Sequence, residues 1–488
     1  MKRIIINLSC FPILKVLCLL FFGLFHFSTH AAVYSISDYL QDVKNGHEAV
    51  SGADYLAKGG QLRESESNML YSPQAIALAQ INEDKRITSA PLFQGTSTTT
   101  KVYSVGVGQQ TPFGLAGKLS YNLYHVITLG ANPAFLPIND YYFGGPGVEL
   151  TQSLWRNFFG REIRAKSDAV FSKAKISNYV QTFKKKMLLL EAEGAYWRLV
   201  LARENIKVAE DSFAVAKKIR DWAQHRSKMQ LGDRGDYLQA QSAVLLRELE
   251  VKACQDELKA AARNFNLARG READEVSEIL SPLSEPDLPP NFFKTHDINR
   301  EDLEAARTEY ELAKTGHILS LEENRPTFEV FLNYSLNGRN TGKKEAIDQS
   351  FESKYPNSTY GFRFQAPLDY FSLKQARAGH EAEEQGALLN YHRKKLEVEK
   401  EWEEYIHKYK DSKERLTLLN SMEKIQKEKL FFEREKHNRG RTTTFQVLMF
   451  EQDYTQTVQN KIRAQAEVLG ILAKMKTFSM AGGNHESR

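Results

Sequence analysis

Cysteine is nearly absent from this chain: three in 488 residues, Cys10, Cys18 and Cys254. The first two fall in an N-terminal stretch that reads as removable. The remainder is expected to form no intramolecular disulfide and no cysteine-held metal cluster, and Cys254 is read as a small core residue. Proline is scarce, 14 in all, and missing altogether from 162–229 and from 373–437, so nothing there interrupts a helix. An excess of either charge is lacking: 66 Lys and Arg stand against 61 Asp and Glu, which leaves no basic field to draw a nucleic acid. After residue 32 no apolar run approaches the roughly eighteen residues of a transmembrane helix, which excludes such a helix from the mature chain.

Catalytic signatures are missing too. "GVGQQT" at Gly106 and Gly108 lacks the third glycine and the following helix of a dinucleotide loop. "HEAEE" at His380 carries Glu384 where a zinc-protease helix needs its second His. "RGD" at Arg234–Asp236 is a short match lying inside a turn. No catalytic, cofactor-binding or metal residue is assigned, and the chain is read as not an enzyme.

What is present begins with Lys2 and Arg3, an apolar run ending in "VLCLLFFGLFHF", and small residues around Thr29 and Ala31. This pattern predicts a signal peptide over 1–31, with Ala32 first in the mature chain. From 162 to 229 heptad rows recur: Leu199, Ile206 and Phe213; Ala195, Ala202, Ala209, Ala216 and Ala223; Leu201, Val208, Val215 and Trp222. Together they cover an arc of roughly 160°, broader than a two-stranded seam and suited to a helix with neighbours on two sides. At about 1.5 Å per residue such a helix spans on the order of 100 Å.

A second run, 373–437, is dense in Glu and Lys and keeps a seam of Trp402, Tyr405, Tyr409, Leu416 and Leu419. Gly232 with Gly235, and Asn438 with Gly440, mark where each long helix ends and reverses into an antiparallel partner. Period-two patterning predicts four strands. Leu115, Leu119, Tyr121, Leu123 and Ile127 alternate with Lys118, Ser120 and Asn122; Val148, Leu150 and Leu154 alternate with Glu149, Thr151 and Ser153. In the second half Phe328, Val330, Leu332, Tyr334 and Leu336 oppose Glu329, Asn333 and Ser335, and Tyr360, Phe362 and Phe364 oppose Arg363 and Gln365. Loops are expected over 128–146 and 338–357, with Phe135, Tyr141, Tyr142, Phe143 and Tyr355 suited to an interfacial girdle. Strands with one apolar and one polar face fit an outer-membrane barrel, and four of them leave open edges that several chains must close.

The order of strand hairpin, long helix, turn and returning helix then repeats, which makes an internally duplicated α+β architecture. With "GVELTQSLW", "GDYLQAQSAVL", "PTFEVFLNYSL", "FRFQAPLDYFS" and "RGRTTTFQVLMFEQDY", the sequence resembles the TolC family of outer-membrane efflux and export channels over nearly the whole mature chain. The resemblance implies a homotrimer with a 12-stranded outer-membrane β-barrel continued by a periplasmic α-helical barrel. It implies partnership with a periplasmic adaptor and an inner-membrane efflux or ABC transporter, contact with outer-membrane lipid, and a passive exit duct for drug efflux or type I secretion. The cell would be a Gram-negative bacterium. An exported coiled-coil contact protein, an adaptor or adhesin, is the alternative.

The corresponding division is a signal peptide (1–31), N-terminal helices with an equatorial segment (32–112), a first β-hairpin (113–157) and a first helical hairpin (158–280, tip near 230–236). A linker (281–297), a returning helix (298–325), a second β-hairpin (326–369), a second helical hairpin (370–482, tip near 438–446) and a polar tail (483–488) follow. The two turns resemble the periplasmic tips, so Gly232, Asp233, Arg234, Gly235, Asp236, Arg439, Gly440, Arg441 and Gln446 are the candidate gate and adaptor contacts, with Asp236 as the candidate helix cap. The resemblance departs at Gln230, which stands where the family has glycine, and at Gln446 and Met449, where acidic residues are common.

Overall fold

The computed structural model describes residues 33–284 and 300–478. The expected signal peptide, most of the linker and the polar tail lie outside the described residues. In chain order the elements are helices α1 (Ile36–Gly46) and α2 (Glu48–Arg63), strands β1 (Gln74–Asp84), β2 (Ser97–Gln110), β3 (Leu115–Leu129) and β4 (Asp140–Ser153), and the long helix α3 (Arg161–Lys228) with its return α4 (Arg234–Ala268). Then come α5 (Glu301–Glu323), β5 (Thr327–Leu336), β6 (Gly338–Asn340), α6 (Lys343–Ser350), β7 (Pro356–Gln365), and the second long helix α7 (Tyr370–Asn438) with its return α8 (Thr444–Lys476). The chain forms two compact units, one gathering the described parts of Met1–His47, Glu191–Asp287 and Lys410–Ile471, the other Glu48–Leu190, Leu288–Tyr409 and Leu472–Arg488.

The first unit is helical. Its core follows the alanine heptad row: Ala202, Ala209, Ala216 and Ala223 are all buried, because a methyl side chain lets neighbouring helix backbones approach closely. The bulkier Ile206, Phe213 and Val215 flank that row and stay half-exposed. One end is pinned by aromatics. Tyr39, Tyr196 and Phe265 are fully buried, and Tyr39 stacks on Phe265 with centroids 4.3 Å apart. The Tyr196 hydroxyl donates to the Tyr34 carbonyl at 2.8 Å and accepts from the Ser281 amide at 2.9 Å, so both its hydrogen-bonding roles are satisfied.

The second unit holds the sheet, seven strands in one antiparallel array ordered β1-β2-β3-β4-β5-β7, with β6 pairing β4. Period-two patterning counts four strands. Two of the three further strands come from 74–110, assigned to the equatorial segment, where β1 and β2 form a full ladder and β2 pairs with β3 along its whole length; the third is the three-residue β6. The expected loops also shrink. β3 runs to Leu129 and β4 begins at Asp140, so Tyr141, Tyr142 and Phe143 are strand residues. The stretch 338–357 contains β6 and α6, and Gly106 and Gly108 of "GVGQQT" lie within β2.

The register gives the sheet two unlike faces. Tyr103, Val105, Leu119, Val148, Leu150, Leu332, Tyr334, Tyr360 and Phe362 fall on one face, and each is between 37% and 79% exposed. On the other, Ser104 donates to Asn122 at 2.5 Å, Lys118 pairs with Glu149 at 3.2 Å, and Arg363 lies 3.8 Å from Glu329. An uncovered apolar face of this extent marks an interaction surface, since water would penalise it. Elsewhere in the unit Arg300 knots the chain together, meeting Asp302 at 2.6 Å and Glu401 at 2.7 Å and lying over the Phe478 ring at 4.7 Å.

Candidate functional site at the two helix turns

Both long helices end in the same hydrogen-bond pattern. After α3, the Leu231 amide donates to the Arg226 carbonyl at 2.9 Å and the Gln230 amide to the Ser227 carbonyl at 3.2 Å. After α7, the Arg441 amide donates to Lys436 at 2.8 Å and the Gly440 amide to His437 at 2.9 Å. Each is a Schellman stop, which satisfies the last helix carbonyls by putting one residue in the left-handed region. That residue is Gly440 in the second turn, at φ 70°, and Gln230 in the first, at φ 59°. Gly232 and Gly235 are not in the left-handed region, so the reversal expected at those glycines is made by Gln230.

The returning helices start on side-chain caps. Asp233 accepts from the Gly235 amide at 3.1 Å and is the N-cap of α4. The cap expected at Asp236 is therefore three residues earlier, and Asp236 instead stands in the first turn of α4, where its negative charge complements the helix dipole. In the second turn Thr443 accepts from the Gln446 amide at 3.3 Å. Arg234 and Gly235 open α4, and Arg439 reaches toward Glu435 at 3.7 Å with both side chains largely in water. Arg234, Arg439, Arg441 and Gln446 are exposed, as are Gly232 and Asp233.

Trp222 of the third heptad row and two residues that carry no signal of their own in the sequence, Arg226 and His437, hold the two turns together. Trp222 packs against His437 with ring centroids 3.8 Å apart and the ring planes tilted by 40°, while the Arg226 guanidinium lies 4.8 Å above the Trp222 ring. The same guanidinium donates to the Leu231 carbonyl at 2.9 Å, closing the first turn. It also stands 3.5 Å from the position a Cβ on Gly440 would take, which brings it close to the second turn. His437 is 4% exposed. Burial, with the nearby Arg226 charge, pushes its pKa below the ordinary 6.5, against smaller opposing pulls from Asp236 and Glu433. Glu433 accepts from the Thr442 hydroxyl, which holds its carboxyl below the usual range with help from Lys436. Beneath these groups Ile219, Ala223, Ala240 and Val447 form a small core. A heptad row had flagged Trp222 as apolar, but no local signal pairs it with a histidine so far along the chain.

Beside the turns a groove of about 350 Å³ opens between α3, α4 and α8, with Ala243, Leu246, Phe445 and Met449 among its lining residues. At its floor Glu451 is 5% exposed and pairs with Arg434 at 2.7 Å; burial raises its pKa despite that partner. Thus an acid does stand close to Met449, though not at the positions where family resemblance would place it. Among the described residues no three His, Cys, Asp or Glu are grouped to hold a metal ion, and no helix is long and apolar enough to cross a membrane.

Two long helical hairpins and an antiparallel sheet with one largely apolar face make up most of the described residues. The chain is similar to the outer-membrane channel OprN, with a TM-score of 0.64 at 14% identity over 91% of this chain and 89% of that one. It is similar to the outer-membrane protein VceC of Vibrio cholerae, with a TM-score of 0.64 at 16% identity over 91% and 95%. The Campylobacter jejuni CmeC outer-membrane channel gives 0.63 at 12% identity over 91% and 85%. No protein-family model and no curated protein sequence matches the chain. At these identities the likeness establishes the fold, which is that of the TolC-type channels.

Proposed function

We propose that this protein is an outer-membrane channel, the passive exit duct of a tripartite efflux or type I secretion system. The carrying observation is the two-faced sheet: the exposed apolar residues of one face suit lipid, and the Lys118–Glu149 and Arg363–Glu329 pairs on the other face suit a water-filled lumen. The similar structures are themselves outer-membrane channels and proteins, which supports the same location here. In this reading the protein is a homotrimer in the outer membrane of a Gram-negative bacterium, extends into the periplasm, and works with a periplasmic adaptor and an inner-membrane transporter.

The two turns are the periplasmic tip. Asp233, Arg234, Asp236, Arg439 and Arg441 present charge there, and the groove beside Phe445 and Met449 receives the adaptor. Because Trp222 and Arg226 couple both turns, the tip opens or closes as one piece. In this reading the inner-membrane transporter drives transport.

Extraction of the mature protein from outer membranes only with detergent, followed by electron microscopy showing a hollow three-fold end view, is the expected result. Solid rods extractable without detergent would instead establish the contact-protein alternative. For the tip, Asp236→Lys and Arg441→Glu are expected to change single-channel conductance and drug resistance. Unchanged values for both variants would remove these charges from the gate.

A further inference from the structure

The sheet stops abruptly at both ends. β1 and β7 are its outermost strands; all but one residue of each is exposed. In hydrocarbon, the unpaired backbone groups of such edges are prohibitively costly. We propose that β1 of one copy pairs with β7 of the next, setting Ala75, Ala77 and Ala79 against Phe364, Phe362 and Tyr360, and that three copies close an eighteen-stranded barrel. This rests on the outer-membrane homotrimer reading above.

Three features of the sheet carry the register. First, six strands lie on the antiparallel path from β1 to β7. With an even number, β1 and β7 run in opposite directions, so copies join antiparallel throughout. Second, the sheet is slanted. Following the ladders across, Gln74 is level with Gly108, Lys118, Glu149, Asn333 and finally Thr359. Full overlap of β1 with β7 needs Gln74 opposite Gln365, six residues further along β7. Six is even, so the apolar and polar faces stay continuous through the seam. It also amounts to one residue of stagger per strand, an inclination of about 35° from ~3.3 Å per residue and ~4.8 Å between strands, which is what closed barrels require.

Third, the side chains fit. On the apolar face of β1 stand the small Ala75, Ala77 and Ala79; on that of β7 stand the bulky Phe364, Phe362 and Tyr360. This register places each aromatic over an alanine, the large-against-small pairing that packs a two-stranded contact. On the opposite face it sets Gln80 by Thr359 and Asn82 by Asn357, polar against polar, while Ile76 falls by Arg363 and Leu78 by Gly361.

The consequence is a wide lumen. The first half of the chain supplies β1 to β4, whereas the second supplies β5, β7 and the three-residue β6, so the extra width comes from the first half alone. Eighteen strands at this inclination put opposite backbones roughly 30 Å apart, a size class that leaves an aqueous channel. The polar inner face, with Ser104, Lys118, Asn122 and Glu149, suits a bulky hydrated cargo.

Disulfide trapping tests the seam. In a Cys254→Ala background, Ala77→Cys with Phe362→Cys, and separately Ala79→Cys with Tyr360→Cys, are oxidised in outer membranes and run on a non-reducing gel. Within one chain four strands separate these positions, so any bond joins copies. Both pairs are expected to give a ladder ending at three copies, and Ala77→Cys with Ser358→Cys, four residues out of register, to give monomer. Absence of cross-links from both matched pairs in membrane-inserted protein, or equal cross-linking of the mismatched pair, would overturn the register. A ladder ending at two or four copies overturns the eighteen-strand count and the three-copy reading but leaves the seam standing. Failure of the protein to sediment with outer membranes, read before oxidation, overturns the outer-membrane reading instead.

Discussion

The first and second helix turns share one backbone path and differ in the residue at its hardest point. Both close a Schellman stop, yet the left-handed position is glycine in the second turn and Gln230 in the first. A side chain there costs on the order of 1 kcal/mol, so the first turn is the more strained. Arg226 reinforces that turn, donating to the Leu231 carbonyl and resting on Trp222. The second turn, with glycine at that position, needs no such brace, and its His437 ring lies against Trp222. The pair is therefore asymmetric: the first turn is held from its own helix, and Trp222 extends the hold to His437 of the other.

Removing the shared ring is the most disruptive way to break the comparison. Trp222→Ala is expected to loosen both turns together, destabilising the region by about 2–4 kcal/mol. Hydrogen exchange would show it at 228–236 and at 437–446 alike; loss of protection in the first turn alone would uncouple them.

Exchanging the left-handed residues sharpens the contrast. Gly440→Ala should cost the second turn about 1–2 kcal/mol, whereas Gln230→Gly should stabilise the first by up to about 1 kcal/mol. Opposite shifts in thermal midpoint are the expected pattern, and shifts of one sign for both would contradict the strain assigned to Gln230. Caps come next: Asp233→Ala and Thr443→Ala should each cost about 1 kcal/mol, with Asp236→Ala costing less because it only complements the dipole.

The smallest effect is that of pH. His437 has its folded pKa below its ordinary 6.5, so its neutral form favours the folded turns. That stability is complete above 6.5 and declines as pH falls from there toward the folded value. Melting at pH 7.5 and at about 5.5 should show a loss in the native protein that His437→Gln reduces. Equal losses in both would assign the effect elsewhere.

Much of this was legible in local pattern. Proline-free heptads announce α3 and α7, and strict alternation announces β3, β4, β5 and β7, because helix and strand periods are written residue by residue. β1 was not legible. "QAIALAQINED" sets Ala against Ile and Leu with no polar face over its first half, and alanine favours helix as readily as strand. Its state comes from the ladder with β2, whose own Gly106 and Gly108 weaken the strand signal. Tyr141 to Phe143 were hidden for a similar reason, preceding Gly144, Gly145, Pro146 and Gly147, a composition that reads as loop.

The lengths of the helices, the stretches in which they turn back and the strand residues that share an apolar face are written in local sequence, since each depends on neighbours a few positions away. The number of strands in the sheet, the glycine conformation taken by Gln230, the cap of α4 at Asp233 rather than Asp236, and the meeting of Trp222, Arg226 and His437 arise only in the folded chain. Those outcomes depend on partners distant in sequence, where ladder hydrogen bonds and ring contacts outweigh the weak preferences of single residues.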